Sequence, residues 1–276
     1  MENYRLEGKT FVIDDYDRLP AFSSFLPGLA GVKGIPMWTF YTNRGQGMNS
    51  FGIDNKGNAI MEFNSANTAF ENTTVKGFRT FLTIDGEYYE PFFKYEDDAK
   101  RQIRMNKNSF KVIERNEKYG IEITVNYYVL PNESIGALVR QVSIKNISGQ
   151  KKNIEIIDGL PKIITYGISN GEFKEMSNLF KSWAYIKNID NKVPYYTLRA
   201  STKDSAEVSD VEGGYYYLTV KDGKLQDVIY DVDTVFGYDL SLMTPVRFID
   251  GGIDNVLGKE QCFANKVPCG FTPFKT

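Results

Sequence analysis

The sequence has 276 residues, a formal charge of −2, 42% hydrophobic residues and no histidine. A charge this small gives no basic footprint for nucleic acid or for an anionic membrane, and no apolar run reaches the roughly 20 residues of a spanning helix. Without histidine there is no Ser-His or Cys-His nucleophile, no histidine-ligated metal and no histidine general base.

The first ten residues lack the charged-then-apolar pattern of an export signal, so a cytoplasmic protein is expected. Lys9–Ile13 reads as a first strand and Asp14–Asp17 as an acidic turn. Next comes the most distinctive stretch, Ala21–Gly52, rich in glycine and aromatics and without an acidic residue. Gly28, Gly31, Gly34, Gly45 and Gly47 interrupt regular structure, so an ordered loop is expected. Within it Ile35–Thr42 reads as a strand feeding a glycine-flanked turn that carries Asn43, Arg44 and Gln46. These three polar groups suit a polyhydroxyl ligand or an anion, and equally suit a turn that ties the fold together. Phe22, Phe25, Leu26, Leu29 and Trp38 are expected to be core.

Farther on, Asp85-Gly86 and Asp222-Gly223 sit between apolar runs and predict hairpins. Ile121, Ile123, Val125 and Tyr127 alternate with Glu122, Thr124 and Asn126, the pattern of a half-buried strand. Ala137–Ile147 and Lys151–Asp158 are expected to pair as two long strands. Asn170–Lys187 is the helix candidate, with Phe173, Met176, Phe180 and Trp183 at helical spacing. Strands return at Tyr195–Ser201, Gly214–Val220, Leu225–Tyr230, Val246–Gly252 and Gln261–Ala264. This pattern predicts a mainly β fold, a large antiparallel β-sandwich with one or two short helices, in a single domain over residues 1–276.

The paired carboxylates Asp14/Asp15, Asp97/Asp98 and Asp231/Asp233 are candidates for acid–base work, but their polar surroundings read as solvated turns. No cofactor is expected. Gly45-Gln46-Gly47 lacks the lysine and the strand–helix setting of a phosphate loop, and Cys262 with Cys269 is too small a ligand set for zinc. Those two cysteines read as free thiols.

Three segments carry a resemblance: Ala21–Gly28 with Gly34–Trp38 and Asn43–Gln46, Leu138–Gly149, and Asn153–Asp158. Together they resemble the N-terminal β-sandwich domain of glycoside hydrolase family 94 phosphorylases, most closely the 1,2-β-oligoglucan phosphorylases. The resemblance implies the galactose-mutarotase-like super-sandwich and a longer enzyme whose (α/α)6 barrel supplies the catalytic acid and the phosphate site. This chain would then hold no catalytic residue. Its implied partners are that barrel, a second subunit in a homodimer and, through the parent enzyme, a β-glucan oligosaccharide. Asn43, Arg44 and Gln46, with Trp38 or Tyr41 beside them, would touch sugar or shape the cleft. A stand-alone carbohydrate-binding or dimerisation module is the alternative.

Overall fold

The computed structural model describes residues 3–28, 32–94, 98–202 and 206–276. Leu29, Gly31 and Asp97 lie outside the described residues. In chain order the first elements are β1 (Tyr4–Glu7), β2 (Thr10–Asp14), β3 (Ser23–Leu26), β4 (Met37–Thr42), β5 (Met48–Ile53), β6 (Ala59–Met61), α1 (Ala66–Lys76), β7 (Arg79–Ile84), β8 (Glu87–Tyr89), β9 (Ala99–Met105), β10 (Phe110–Asn116), β11 (Ile121–Val129) and β12 (Leu138–Asn146). There follow β13 (Ile154–Leu160), α2 (Asn170–Trp183), β14 (Ala184–Lys187), β15 (Tyr195–Leu198), β16 (Tyr215–Tyr216), β17 (Val220–Lys221), β18 (Lys224–Leu225), β19 (Ile229–Asp231), α3 (Asp233–Phe236), α4 (Val246–Leu257) and β20 (Pro268–Lys275). The fold is mainly β and antiparallel, a β-sandwich with few and short helices, as the strand pattern predicts. The chain divides into two compact units.

The first unit comprises Met1–Lys56, Phe63–Gly77 and Tyr89–Lys152. Its main sheet runs β1-β2-β9-β10-β11-β12. The alternation in β11 is realised: Ile121, Ile123, Val125 and Tyr127 are buried, while Glu122, Thr124 and Asn126 lie on the opposite, half-buried face. Strands β3, β4 and β5 pair antiparallel and cover that core face. The Tyr41 ring of β4 stacks on Phe110 of β10 at 4.2 Å between centroids. Two sheets packed face to face, with inward side chains interdigitated, make this unit a sandwich. Helix α1 lies on β5 and contributes Ala69 and Thr73 to the interior.

The second unit comprises Gly57–Glu62, Phe78–Tyr88 and Asn153–Thr276. Its main sheet contains β19-β20-β13-β7-β8. The core on that sheet is built from Phe81, Ile157, Phe236, Phe248, Val256 and Phe271 among others. A smaller sheet, β14-β15-β16, is tied to it where the Tyr196 hydroxyl donates to the Cys269 carbonyl at 2.6 Å. Asp85-Gly86 and Asp222-Gly223 turn as expected, all four with positive φ.

Several expectations are corrected. Strands β12 and β13 do not pair with each other: β12 pairs with β11, and β13 lies between β7 and β20. Strand β13 buries residues on both faces, which suits the middle of a covered sheet better than an edge hairpin. Helix α2 ends at Trp183, and Ala184–Lys187 is a strand. The spacing of Phe173, Met176, Phe180 and Trp183 does not survive as one stripe, because Met176 leaves helical geometry and is 42% exposed. Val246–Gly252, expected as a strand, begins helix α4. That helix breaks at Gly251 and Gly252, the latter at φ +62. Just past the break, the Ile253 amide donates to the Glu155 carboxylate of β13 at 3.1 Å. Gln261–Ala264 contributes only a bridge between Ala264 and Tyr185. Helix α1 and strand β20 had no signal. Pro268 and Pro273 hide the strand. Pro268 opens it, and Pro273 lies past the residues that β19 pairs, where the missing N–H costs no ladder bond there.

Helix α2 starts with a capping box between Ser169 and Glu172. The Ser169 amide donates to the Glu172 carboxylate at 2.8 Å. Bonds from Ser169 hold the Glu172 carboxyl below the usual carboxylate range. A depressed folded-state pKa gives stability that is complete above the unfolded value and is lost as pH falls through the folded one. Acidification through the carboxylate range is therefore expected to fray the first turn of α2, read as a loss of amide protection at Gly171–Lys174 relative to the unstructured exchange rate at the same pH. Glu172→Gln should flatten that pH dependence; an unchanged profile would assign the effect elsewhere.

Candidate functional site

The turn between β4 and β5 is built to be rigid. The Thr42 amide donates to the Gly47 carbonyl at 2.8 Å, and the Gly47 amide to the Arg44 carbonyl at 2.9 Å. Gly45 and Gly47 have φ of +52 and +85, a region open to glycine at little cost. Gly47 also faces the Phe110 ring so closely that a Cβ there would lie 2.2 Å from it.

The turn is fastened to the short 3-10 segment Tyr16–Arg18. Asn43 is fully buried. Its amide nitrogen donates to the carbonyls of Tyr16 at 2.9 Å, Pro20 at 3.1 Å and Leu19 at 3.4 Å. Its oxygen accepts from the Phe22 amide at 2.9 Å. The buried Tyr16 hydroxyl returns a bond to the Gly45 carbonyl at 2.6 Å. Gln46 is buried too, and its oxygen accepts from the Arg140 guanidinium. Tyr41 is interior, with its hydroxyl on the Met105 sulfur at 3.0 Å; burial pushes its phenol up.

The turn thus sends Asn43 and Gln46 inward and Arg44 outward. Arg44 is exposed and lies 5.2 Å over the Phe70 ring of α1. Trp38 sits elsewhere on β4. It forms a half-buried cluster with Phe40 at 5.9 Å and Phe63 at 5.7 Å, and its indole N–H donates to the Asn55 carbonyl at 2.8 Å. Phe25, expected in the core, is 63% exposed. It pairs across strands with Phe40 on that same outer face. So the structure groups Asn43, Gln46 and Tyr41 with the interior, and leaves Arg44 and Trp38 facing out.

Behind the turn lies a buried charge network that the sequence reading missed. Arg101 donates to Glu114 at 2.6 Å and to Asp17 at 2.7 Å. Glu114 also accepts from the Tyr89 hydroxyl and, at 2.6 Å, from the Phe92 amide. Burial pushes the Glu114 carboxyl up, against the pull of Arg101 and these donors. Burial works against the Arg101 charge, but Glu114, Tyr16 and Asp17 outweigh it and hold the guanidinium protonated. Every partner is part of the fold, so the network fastens β9 to β10 and to the segment that anchors Asn43. Alternation in β9 and β10 places Arg101 and Glu114 on core faces; the charged types at those inward positions were the available clue.

The paired carboxylates are also placed. Asp14 accepts from Gln102 at 2.6 Å and is paired with Arg5. Asp98 is exposed. Asp231, expected as a solvated turn residue, is buried. It accepts from the Cys262 amide at 2.9 Å and from Lys266 at 3.1 Å, and Lys266 also reaches Asp233 at 2.8 Å. The adjoining indentation, lined by Tyr230, Cys262 and Lys266, is a shallow depression with no internal space for a small molecule. Cys262 and Cys269 are free thiols, and burial pushes Cys269 up. Among the described residues no group of three or more Cys, Asp and Glu is placed to hold a metal, and no helix is long and apolar enough to cross a membrane.

No protein-family model matches the chain, and a search of curated proteins returned no significant match.

Proposed function

We propose that this chain is the β-sandwich part of a cytoplasmic carbohydrate-active enzyme, an inverting glycoside phosphorylase of the family 94 type acting on β-glucan oligosaccharides. In this reading the chain is a super-sandwich scaffold and not the catalyst. The carrying observation is the division of labour in the turn after β4. Asn43 and Gln46 are spent on holding the turn, so its one outward side chain, Arg44, is presented by a rigid mount. A guanidinium on such a mount suits sugar hydroxyls or an anion at the rim of a cleft built by a following barrel.

The chemistry belongs to the parent protein. Phosphate attacks the anomeric carbon opposite the bond that breaks, and one carboxylic acid protonates the departing oxygen. A β-linked glucan therefore yields α-glucose 1-phosphate. The test is phosphorolysis by the product of the complete reading frame, with 1,2-β-glucan oligosaccharides and inorganic phosphate. Release of α-glucose 1-phosphate by that protein, and none by residues 1–276 alone, is expected. No release from any β-glucan oligosaccharide would overturn the reading.

The half-exposed Trp38–Phe40–Phe63 cluster favours a second reading, a carbohydrate-binding module, since aromatic faces stack on sugar rings. Affinity of the 276-residue chain itself for β-glucan, lost in Trp38→Ala, would favour that reading over the first.

A further inference from the structure

The small sheet β14-β15-β16 of the second unit has two unlike faces. Its register places Ala184, Ile186, Tyr196, Leu198 and Tyr215 on one face, and all five are buried. Alternation puts Tyr185 and Lys187 of β14, with Tyr195 and Thr197 of β15, on the other. Arg199 continues that face just past β15, where its amide still bonds to the Trp183 carbonyl at 2.9 Å.

This second face is paved with rings. Thr197 at its centre is fully buried, its hydroxyl on the Gly213 carbonyl at 2.9 Å. The Tyr166 and Tyr195 rings lie so close on Gly213 and Gly214 that a Cβ there would come within 2.0 and 2.2 Å of them. On the β14 side, Tyr185 meets the Phe263 ring edge-on at 5.6 Å. Tyr166 and Phe263 remain 41% and 48% exposed, so the paving is a surface and not a core.

The polar groups of this face are uncommitted. Elsewhere the fold bonds its tyrosine hydroxyls, as at Tyr16, Tyr89 and Tyr196. Among the described residues the Tyr185 and Tyr195 hydroxyls have no hydrogen-bond partner, and the exposed Lys187 and Arg199 have no acidic partner. Nearby Lys192, by contrast, is paired with Asp227 at 3.0 Å. Both unpaired cations reach the Tyr185 ring instead, Lys187 at 6.0 Å and Arg199 at 5.8 Å. That is the outer range of a cation–π contact, which orients a charge and leaves its N–H groups open.

We propose that this face binds a hexose phosphate. A pyranose turns a face of C–H groups to an aromatic ring and its hydroxyls to the tyrosine O–H at the ring edge. The phosphate answers two cations held beside one ring, Arg199 as a planar fork and Lys187 as a point charge. A neutral glucan would leave the cations without a partner, and free phosphate would leave the rings without one. The ligand class stands on this face alone. The choice of α-glucose 1-phosphate as first probe rests on the phosphorylase reading, whose product it is.

The test is isothermal titration calorimetry of the full chain with α-glucose 1-phosphate, glucose 6-phosphate, glucose and inorganic phosphate, with circular dichroism to verify folding of each variant. At least one hexose phosphate is expected to bind roughly tenfold or more tightly than either glucose or phosphate. Lys187→Gln combined with Arg199→Gln, at two exposed positions, is expected to weaken that binding by a similar factor and to leave the fold intact. Tyr195→Leu, which keeps apolar bulk but not the ring, is expected to weaken it likewise. No binding of either hexose phosphate would overturn the proposal. So would binding matched by inorganic phosphate, which means an anion patch only, binding matched by glucose, or binding indifferent to the folded charge variant. Hexose phosphate binding without phosphorolysis by the complete protein would remove the enzyme reading and support this site, and the reverse result would remove the site alone.

Discussion

Arg101→Met is expected to destabilise the protein by about 3–5 kcal/mol, because it removes one partner of a buried ion pair and leaves the other uncompensated. The Arg101 and Glu114 side chains are 4% and 0% exposed, so water cannot replace what is lost. Glu114 would keep the Tyr89 hydroxyl and the Phe92 amide but no counter-charge. Asp17 would lose its guanidinium as well, loosening the segment that anchors the Asn43 turn. Replacing both partners, as Arg101→Met with Glu114→Leu, is expected to cost much less than the sum of the single changes, since no charge is then stranded. Urea unfolding of the four proteins gives the coupling directly. A single-variant loss below about 1 kcal/mol would mean the pair does not hold this part of the fold.

Asn43→Ala is the second large effect, at about 2–4 kcal/mol, from several buried backbone groups that lose their partner together. The Phe22 amide and the carbonyls of Tyr16, Leu19 and Pro20 all bond to this one side chain. Asn43→Asp should not rescue it, because an oxygen would then replace the nitrogen that faces three carbonyls. Arg44→Ala, one residue on, is expected to change stability by no more than about 0.5 kcal/mol, the usual size for an exposed position. The contrast separates two roles within one turn. Under the proposed phosphorylase reading, Arg44→Ala is expected to alter the kinetics of a parent enzyme that folds normally, whereas Asn43→Ala is expected to lower the amount of folded protein. Equal stability of the two variants would show that Asn43 is no anchor, and unchanged kinetics in Arg44→Ala would remove it from the cleft.

The sequence made the strands of the first unit legible where one face is buried and the other wet, as in β11. It also revealed the two aspartate-glycine hairpins, because that dipeptide accepts two positive φ angles in succession. Pairing was less legible. A hairpin between β12 and β13 was the economical reading, and nothing local in Ile147–Asn153 says that the chain leaves one sheet for another. Strand β20 was hidden by prolines, tolerated because Pro268 opens the strand and Pro273 lies past the end of β19. At the candidate site the residue types pointed to the right turn but not to the direction each side chain takes. Asparagine and glutamine serve a ligand or a backbone equally well, and the choice was made by Tyr16 and Arg140, which are remote in sequence.

The break in helix α4 bears on the order in which this protein assembles. Gly251 and Gly252 divide the segment into two pieces, each too short to persist alone in water. The second piece takes the carboxylate at its start from Glu155, about a hundred residues earlier in the chain. A Cβ at Gly252 would lie 2.3 Å from that same carboxylate, so the contact also sets which residue can occupy the break. Helicity at Ile253–Leu257 is thus conditional on β13 being in place. This helix is therefore expected to form after the long-range sheet, a reversal of the usual ranking by sequence separation. A peptide spanning Val246–Leu257 would be unstructured by itself, and its amides in the whole protein would exchange no more slowly than those of the strand that caps it.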